Sequence, residues 1–124
     1  MGSVLLVGAG GALGAVGRYG LSLLPYTGEF PLLTLCTNLL GALLIGFVAG
    51  LAGHGRLSPG WTLFWKTGVC GGFTTFSTFS LESLTLLEKG RWLTGGMYMA
   101  LSVALCVVGV LAGQGLARAF TVPR

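Results

Sequence analysis

Along the chain, apolar residues fall into four long blocks separated by three short polar gaps. Leu32 to Gly53 contains no charged residue, and neither does Trp92 to Ala117. Val4 to Leu24 is interrupted only by Arg18, and Trp61 to Leu87 only by Lys66 near one end and Glu82 near the other. Each block reaches or exceeds the roughly 20 residues an α-helix needs to cross about 30 Å of hydrocarbon. Pro25, Tyr26, Gly28 and Pro31 punctuate the first gap. His54, Arg56, Ser58 and Pro59 mark the second, and Glu88, Lys89 and Arg91 the third. Trp61, Trp65 and Trp92 stand at helix entrances, where amphipathic rings favour the membrane interface. The pattern predicts an all-α membrane protein. Residues 1–124 form one transmembrane domain, with helices at roughly 3–24, 32–53, 61–87 and 92–118.

Composition narrows the class. Only 8% of the residues are Asp, Glu, Lys or Arg, and the mean hydropathy is +0.87. Water-soluble domains run near 25% charged, so a soluble fold of this length would lack the polar surface to cover itself. The first block does not read as a cleaved signal peptide: it has no basic leader, is too long, and carries Arg18 where an apolar core would be required. Cys36, Cys70 and Cys106 are odd in number, and each lies inside a separate block. They are expected as small buried side chains rather than as a disulfide or a metal site. With one histidine, His54, in a gap and no legible nucleophile–base pair, an enzyme is not expected.

Charge sets orientation in most membrane proteins, through an excess of Lys and Arg in cytoplasmic loops. With four crossings, both termini and the middle gap share one side. That side holds Arg56, Lys66, Arg118 and Arg124, and the other holds Arg18, Lys89 and Arg91. Four against three is almost no bias, so by charge alone insertion both ways round and a single orientation stand even. Insertion both ways would make an antiparallel two-fold dimer available. Four helices enclose little space, and a pore would need the second copy.

The chain has 23 glycines, several four residues apart: Gly10 and Gly14, Gly46 and Gly50, Gly68 and Gly72, Gly109 and Gly113. Small residues at this spacing let membrane helices approach closely. Val7 to Gly14, VGAGGALG, imitates a dinucleotide-binding loop. That function needs a preceding strand and a parallel sheet, neither of which this pattern supplies, so packing glycines are the expectation.

Chemistry concentrates in Gly71 to Ser80, GGFTTFSTFS, in the middle of the third block. Two glycines followed by two threonines are poor helix formers. A helix broken there would free backbone groups that lipid cannot satisfy, which is tolerated where the backbone lines a cavity or holds an ion. Hydroxyls (Thr74, Thr75, Ser77, Thr78, Ser80) then interleave with rings (Phe73, Phe76, Phe79). Phe76 and Phe79 share a helical face, and ring edges are electropositive. The plainer alternative is that the rings pack and the hydroxyls bond back to the preceding turn. Asn38 in the second helix, and Tyr98 and Ser102 four apart on the fourth, add donors at depth. Arg18 is expected to cap carbonyls near the end of the first helix. The inventory is rich in donors and poor in carboxylates, which favours an anion.

GGALGAVGRY (Gly10 to Tyr19), TNLLGALLIGF (Thr37 to Phe47) and GGFTTFSTFSLE (Gly71 to Glu82) together resemble the Fluc fluoride channels, also called CrcB. The resemblance covers essentially the whole chain in order. It implies a four-helix, dual-topology, antiparallel homodimer with the third helix broken near its middle. It implies passive fluoride-selective export across a bacterial or archaeal plasma membrane (the cell inner membrane), and hence fluoride resistance: HF crosses membranes neutral, then dissociates and traps its anion inside. Matched residue by residue, it implies a fluoride pore at Asn38, Phe76, Phe79, Ser77, Thr78, Tyr98 and Ser102. It also implies a structural sodium ion at the dimer interface, held by the carbonyls of Gly71 and Thr74, with Arg18 matching the first-helix arginine. The partners implied are fluoride, the lipid bilayer and a second copy, with no nucleic acid.

Three rival readings remain open. A small multidrug transporter needs a carboxylate in its first helix, where this chain has Arg18. Proton-coupled fluoride exchange would use Glu82, whose place near a helix end favours a solvated interfacial role. A non-conducting scaffold would not need the hydroxyl and phenylalanine pattern.

Overall fold

A computed structural model of the chain describes residues 1–121; Arg124, counted in the charge tally, lies outside them. Every regular element among the described residues is helical. Helix α1 is Gly2–Ser22, α2 is Leu32–Gly53 and α5 is Trp92–Thr121. These three are long and apolar enough to cross a membrane. Between α2 and α5 the chain is helical in two pieces. Helix α3 spans residues 59–73 and consists of Pro59–Thr62, a π-helical stretch Leu63–Cys70, and Gly71–Phe73. Helix α4 is Phe76–Glu88. At 30 residues, α5 is about 45 Å long and outreaches the hydrocarbon core.

Local signals set the ends. Ser58 caps α3, its side chain accepting from Trp61 N–H, with Pro59 in the first turn where its missing N–H costs nothing. Helices α2 and α4 end alike. Gly55 (φ +69°) and Gly90 (φ +76°) adopt the left-handed conformation. The next amides, Arg56 and Arg91, reach back to Leu51 O at 2.9 Å and Leu86 O at 2.8 Å. This is the Schellman arrangement, for which glycine is favoured.

The expected glycine pairs turn out to be partners. A Cβ on Gly10 or Gly14 would collide with the backbone of Phe64 to Val69, and one on Gly68 or Gly72 with the backbone of Val7 to Ala15. Gly46 and Gly113 meet in the same way: a Cβ on either would strike the other helix's main chain at Val110 or at Leu43 and Phe47. Two backbone-to-backbone seams therefore build the bundle, α1 on α3 and α2 on α5. The VGAGGALG run belongs to the first seam, and its dinucleotide reading falls away with the helical fold. A small core sits near the α4–α5 end, where Tyr98, wholly buried, packs with Leu35, Leu86, Phe30 and Phe79.

Arg91 Nε lies 2.9 Å from Glu29 Oε1. The α4–α5 turn therefore meets the α1–α2 loop at one end of the bundle. The cysteines are free, with Cys70 buried. Cys36 is exposed and Cys106 half-buried, which corrects the expectation that all three thiols are buried.

Candidate functional site

Thr74 (φ −80°, ψ 158°) and Thr75 (φ −145°, ψ 107°) are extended, and they separate α3 from α4. The sequence predicts unwinding across the glycine pair and Thr74, and of these Thr74 is extended. Gly71 and Gly72 are instead helical, and the extended residues are the two threonines. The reason lies in what replaces the helical hydrogen bonds. Thr74 makes the last one, its N–H donating to Cys70 O at 3.0 Å, and its hydroxyl donates to the same oxygen at 2.8 Å. Asn38 then serves both backbone groups of Thr75. Asn38 Oδ1 accepts from Thr75 N–H at 2.8 Å, and Asn38 Nδ2 donates to Thr75 O at 3.2 Å. The Thr75 hydroxyl caps α4, accepting from Thr78 N–H at 3.1 Å and donating to Thr78 Oγ1 at 2.9 Å. Gly72 spends its missing side chain on contact with α1.

Diverting those donors has a consequence for the carbonyls. Thr75 N–H would have served Gly71 O, and Thr78 N–H would have served Thr74 O, in a continuous helix. One goes to Asn38 and the other to the Thr75 hydroxyl. Gly72 O is met by Arg18 Nε at 3.1 Å across from α1. The carbonyls of Gly71 and Thr74 are thus left without their helical partners, while Arg18 serves that of Gly72.

Beside this step runs a groove of about 600 Å³, lined by parts of α2, α3, α4 and α5. Of the residues singled out in the sequence it gathers Asn38, Gly71, Thr74, Phe76, Phe79 and Ser102. Phe76 is 80% exposed, and its ring centre is 5.6 Å from that of Phe79, tilted by 43°. The hydroxyl of Ser102 is buried and has no hydrogen-bond partner among the described residues. One Asn38 amide hydrogen serves Thr75, leaving the second unspent. Ser77 and Thr78 lie one residue away from the groove wall, in the hydroxyl cluster around Thr75.

Tyr98 departs from expectation. Its hydroxyl does not line the groove with Ser102 but donates to Glu82 Oε1 at 3.0 Å, while Thr34 donates to Glu82 Oε2 at 3.1 Å. Its ring stacks edge-on to Phe30 and lies 5.2 Å from Phe79. Glu82, expected to be solvated, is partly buried and held by these two hydroxyls. The carboxylate is turned behind Phe79 because a buried tyrosine hydroxyl needs an acceptor there. Ser80, Ser83 and Thr85 follow the plainer reading and bond back to Phe76, Phe79 and Leu81 carbonyls. Thr34 escaped the sequence reading, and Thr75 was counted there only as one hydroxyl of the run. The signal for Thr34 was its place four residues before Asn38, on the same face of α2.

Residues 5–114 match the family model described as CrcB-like protein, Camphor Resistance (CrcB). The chain is 49% identical to a protein of Rhizobium meliloti (strain 1021) named fluoride-specific ion channel FluC, covering 96% of this chain and 98% of that one. A protein of the same name from Roseobacter denitrificans is 47% identical over 95% of this chain and 97% of its own length. Fluoride-specific ion channel FluC 2 of Symbiobacterium thermophilum is 48% identical over 90% and 94%.

Proposed function

The chain belongs to the CrcB-like family, and from that premise we propose that it is a multi-pass membrane channel for fluoride, not an enzyme. The observation that carries the reading is the groove beside the Thr74–Thr75 step. Its polar lining offers a carboxamide hydrogen from Asn38, the unpartnered hydroxyl of Ser102 and the rings of Phe76 and Phe79, and no carboxylate. Fluoride is small and strongly hydrated, so a path through hydrocarbon must replace its water with fixed donors. Such donors cost least when the fold has already positioned them. Asn38 is held by two hydrogen bonds to Thr75, so its free hydrogen points from a fixed amide.

Helices α3 and α4 together make one crossing, interrupted at bilayer depth. The Glu29–Arg91 pair supports this, because it returns the chain after α4 to the end where the α1–α2 loop lies. The channel is an antiparallel homodimer of oppositely inserted copies in the plasma membrane. The exposed Phe76 and the open groove are the faces that a second copy would cover. The freed carbonyls of Gly71 and Thr74 fit a monovalent cation: two copies would present four backbone oxygens, too few and too weakly charged for calcium, which takes six to eight. When bound, sodium would supply positive charge offsetting the repulsion of anions inside the membrane. Conduction is passive. Glu82 sits outside the groove lining and is held by Tyr98 and Thr34, so proton exchange has no carboxylate in the path.

Efflux from liposomes holding the purified protein tests the reading. Fluoride should leave down its gradient when valinomycin lets potassium carry the compensating charge, chloride should be retained, and a pH gradient imposed with no proton ionophore present should drive nothing. A fixed fluoride-to-proton ratio would replace the channel by an exchanger, and absence of fluoride flux would refute both.

A further inference from the structure

A second, smaller cavity of about 410 Å³ opens under the α2–α3 turn, between Ala52 at the end of α2 and Leu57, Pro59 and Leu63 at the start of α3. It shares two residues with the large groove: Lys66 and Thr67 line both. The two spaces thus adjoin, and these side chains stand where they meet. Lys66 is the one charged side chain lining either space, and no ion pair to it exists among the described residues. It lies seven residues into α3, about 10 Å along the axis, in the π-helical stretch, a geometry that often accompanies functional positions. Toward the membrane interior, Cys70, Gly71 and Thr74 continue the same wall of the groove at helical spacing. An ammonium at this depth must point to water or to an anion, since hydrocarbon would not hold it.

We propose that Lys66, with the Thr67 hydroxyl beside it, is a cationic threshold. It draws fluoride from the cavity under the α2–α3 turn into the groove and so sets the rate of anion capture from that mouth. The assignment rests on the fluoride-channel reading and adds to it a residue outside the three motifs that mark the family. Lys66 and Thr67 are exposed, and a fixed charge at such a mouth raises local counter-ion concentration, a gain that salt in the bath erases.

The test compares the parent protein with Lys66→Ala, Lys66→Arg and Lys66→Glu in fluoride efflux from liposomes, at about 10 mM and about 500 mM inert salt, where the Debye length falls from about 30 Å to about 4 Å. At low salt Lys66→Ala should lose roughly threefold to tenfold and Lys66→Glu more, with Lys66→Arg near the parent; at high salt the four should converge. Lys66→Cys provides a second arm: a cationic thiol reagent should restore its low-salt flux, and an anionic one of similar size should depress it, against a treated parent as control. A parent that carries no fluoride would refute the channel reading itself. A conducting parent matched by Lys66→Ala at low salt, or a loss that persists unchanged at high salt or accompanies loss of the dimer on size exclusion, would overturn the threshold alone.

Discussion

Asn38 stands to Thr75 as a neighbouring strand would, giving one acceptor and one donor to a backbone with no helical partner. Replacing it by Asp would keep the acceptor for Thr75 N–H but set a second oxygen against Thr75 O; replacing it by Leu would remove both. Each buried group left unpaired costs about 1–3 kcal/mol. Both variants are therefore expected to lower the melting temperature as well as fluoride efflux, the latter at least tenfold, the factor that about 1.4 kcal/mol represents. Ser102 makes the opposite case. Its buried hydroxyl has no partner, so Ser102→Ala should leave thermal stability equal to the parent's or higher while efflux drops severalfold. Equal efflux would remove Ser102 from the ion path. Most of the site could be read from residue types at helical spacing: Asn38, Phe76, Phe79 and Ser102 do line one groove. The partners of each polar atom could not, because spacing along one helix says which face a hydroxyl occupies, not what stands opposite. Tyr98 shares a face with Ser102, yet its ring reaches past the groove to Glu82 on α4.

At the scale of elements, the two glycine seams decide how closely helices approach. At Gly14 a Cβ would strike the Val69 carbonyl, whereas nothing lies within 4 Å of one at Gly8 or Gly96. Backbone cannot shift as a flexible side chain can, and overpacking costs 1–3 kcal/mol or more even where neighbours give way. Gly14→Leu should therefore abolish a monodisperse size-exclusion peak, while Gly8→Ala and Gly96→Ala should purify and melt like the parent within about 0.5 kcal/mol. The four apolar blocks made the long helices legible, since few other structures satisfy their backbone in lipid. The residues that leave the helix between α3 and α4 were harder to place. Propensity points to the whole run of two glycines and two threonines, and it is a weak prior where tertiary contacts compete. Here the contacts came from Asn38, 37 residues away in sequence.

For the whole molecule, the near balance of basic residues across the two ends underlies the proposed dual topology. A cysteine placed at Glu88, an exposed residue at the end of α4, leaves the Lys and Arg tally unchanged, and acidic residues contribute little to orientation. In intact cells a membrane-impermeant maleimide should label about half of Glu88→Cys, with the remainder reached only after permeabilisation; labelling of all or none would mean a single orientation. The freed carbonyls of Gly71 and Thr74 bear on what happens after insertion. A solitary copy would show those oxygens to lipid, each exposed group costing several kcal/mol. Once two oppositely inserted copies have met, separating them would restore that cost, so partners chosen at synthesis would stay partners for the life of the protein. The census of up and down chains would then be written at the ribosome and kept, with no later exchange to even it out. Any surplus of one orientation would remain unmatched, to be cleared by membrane proteolysis.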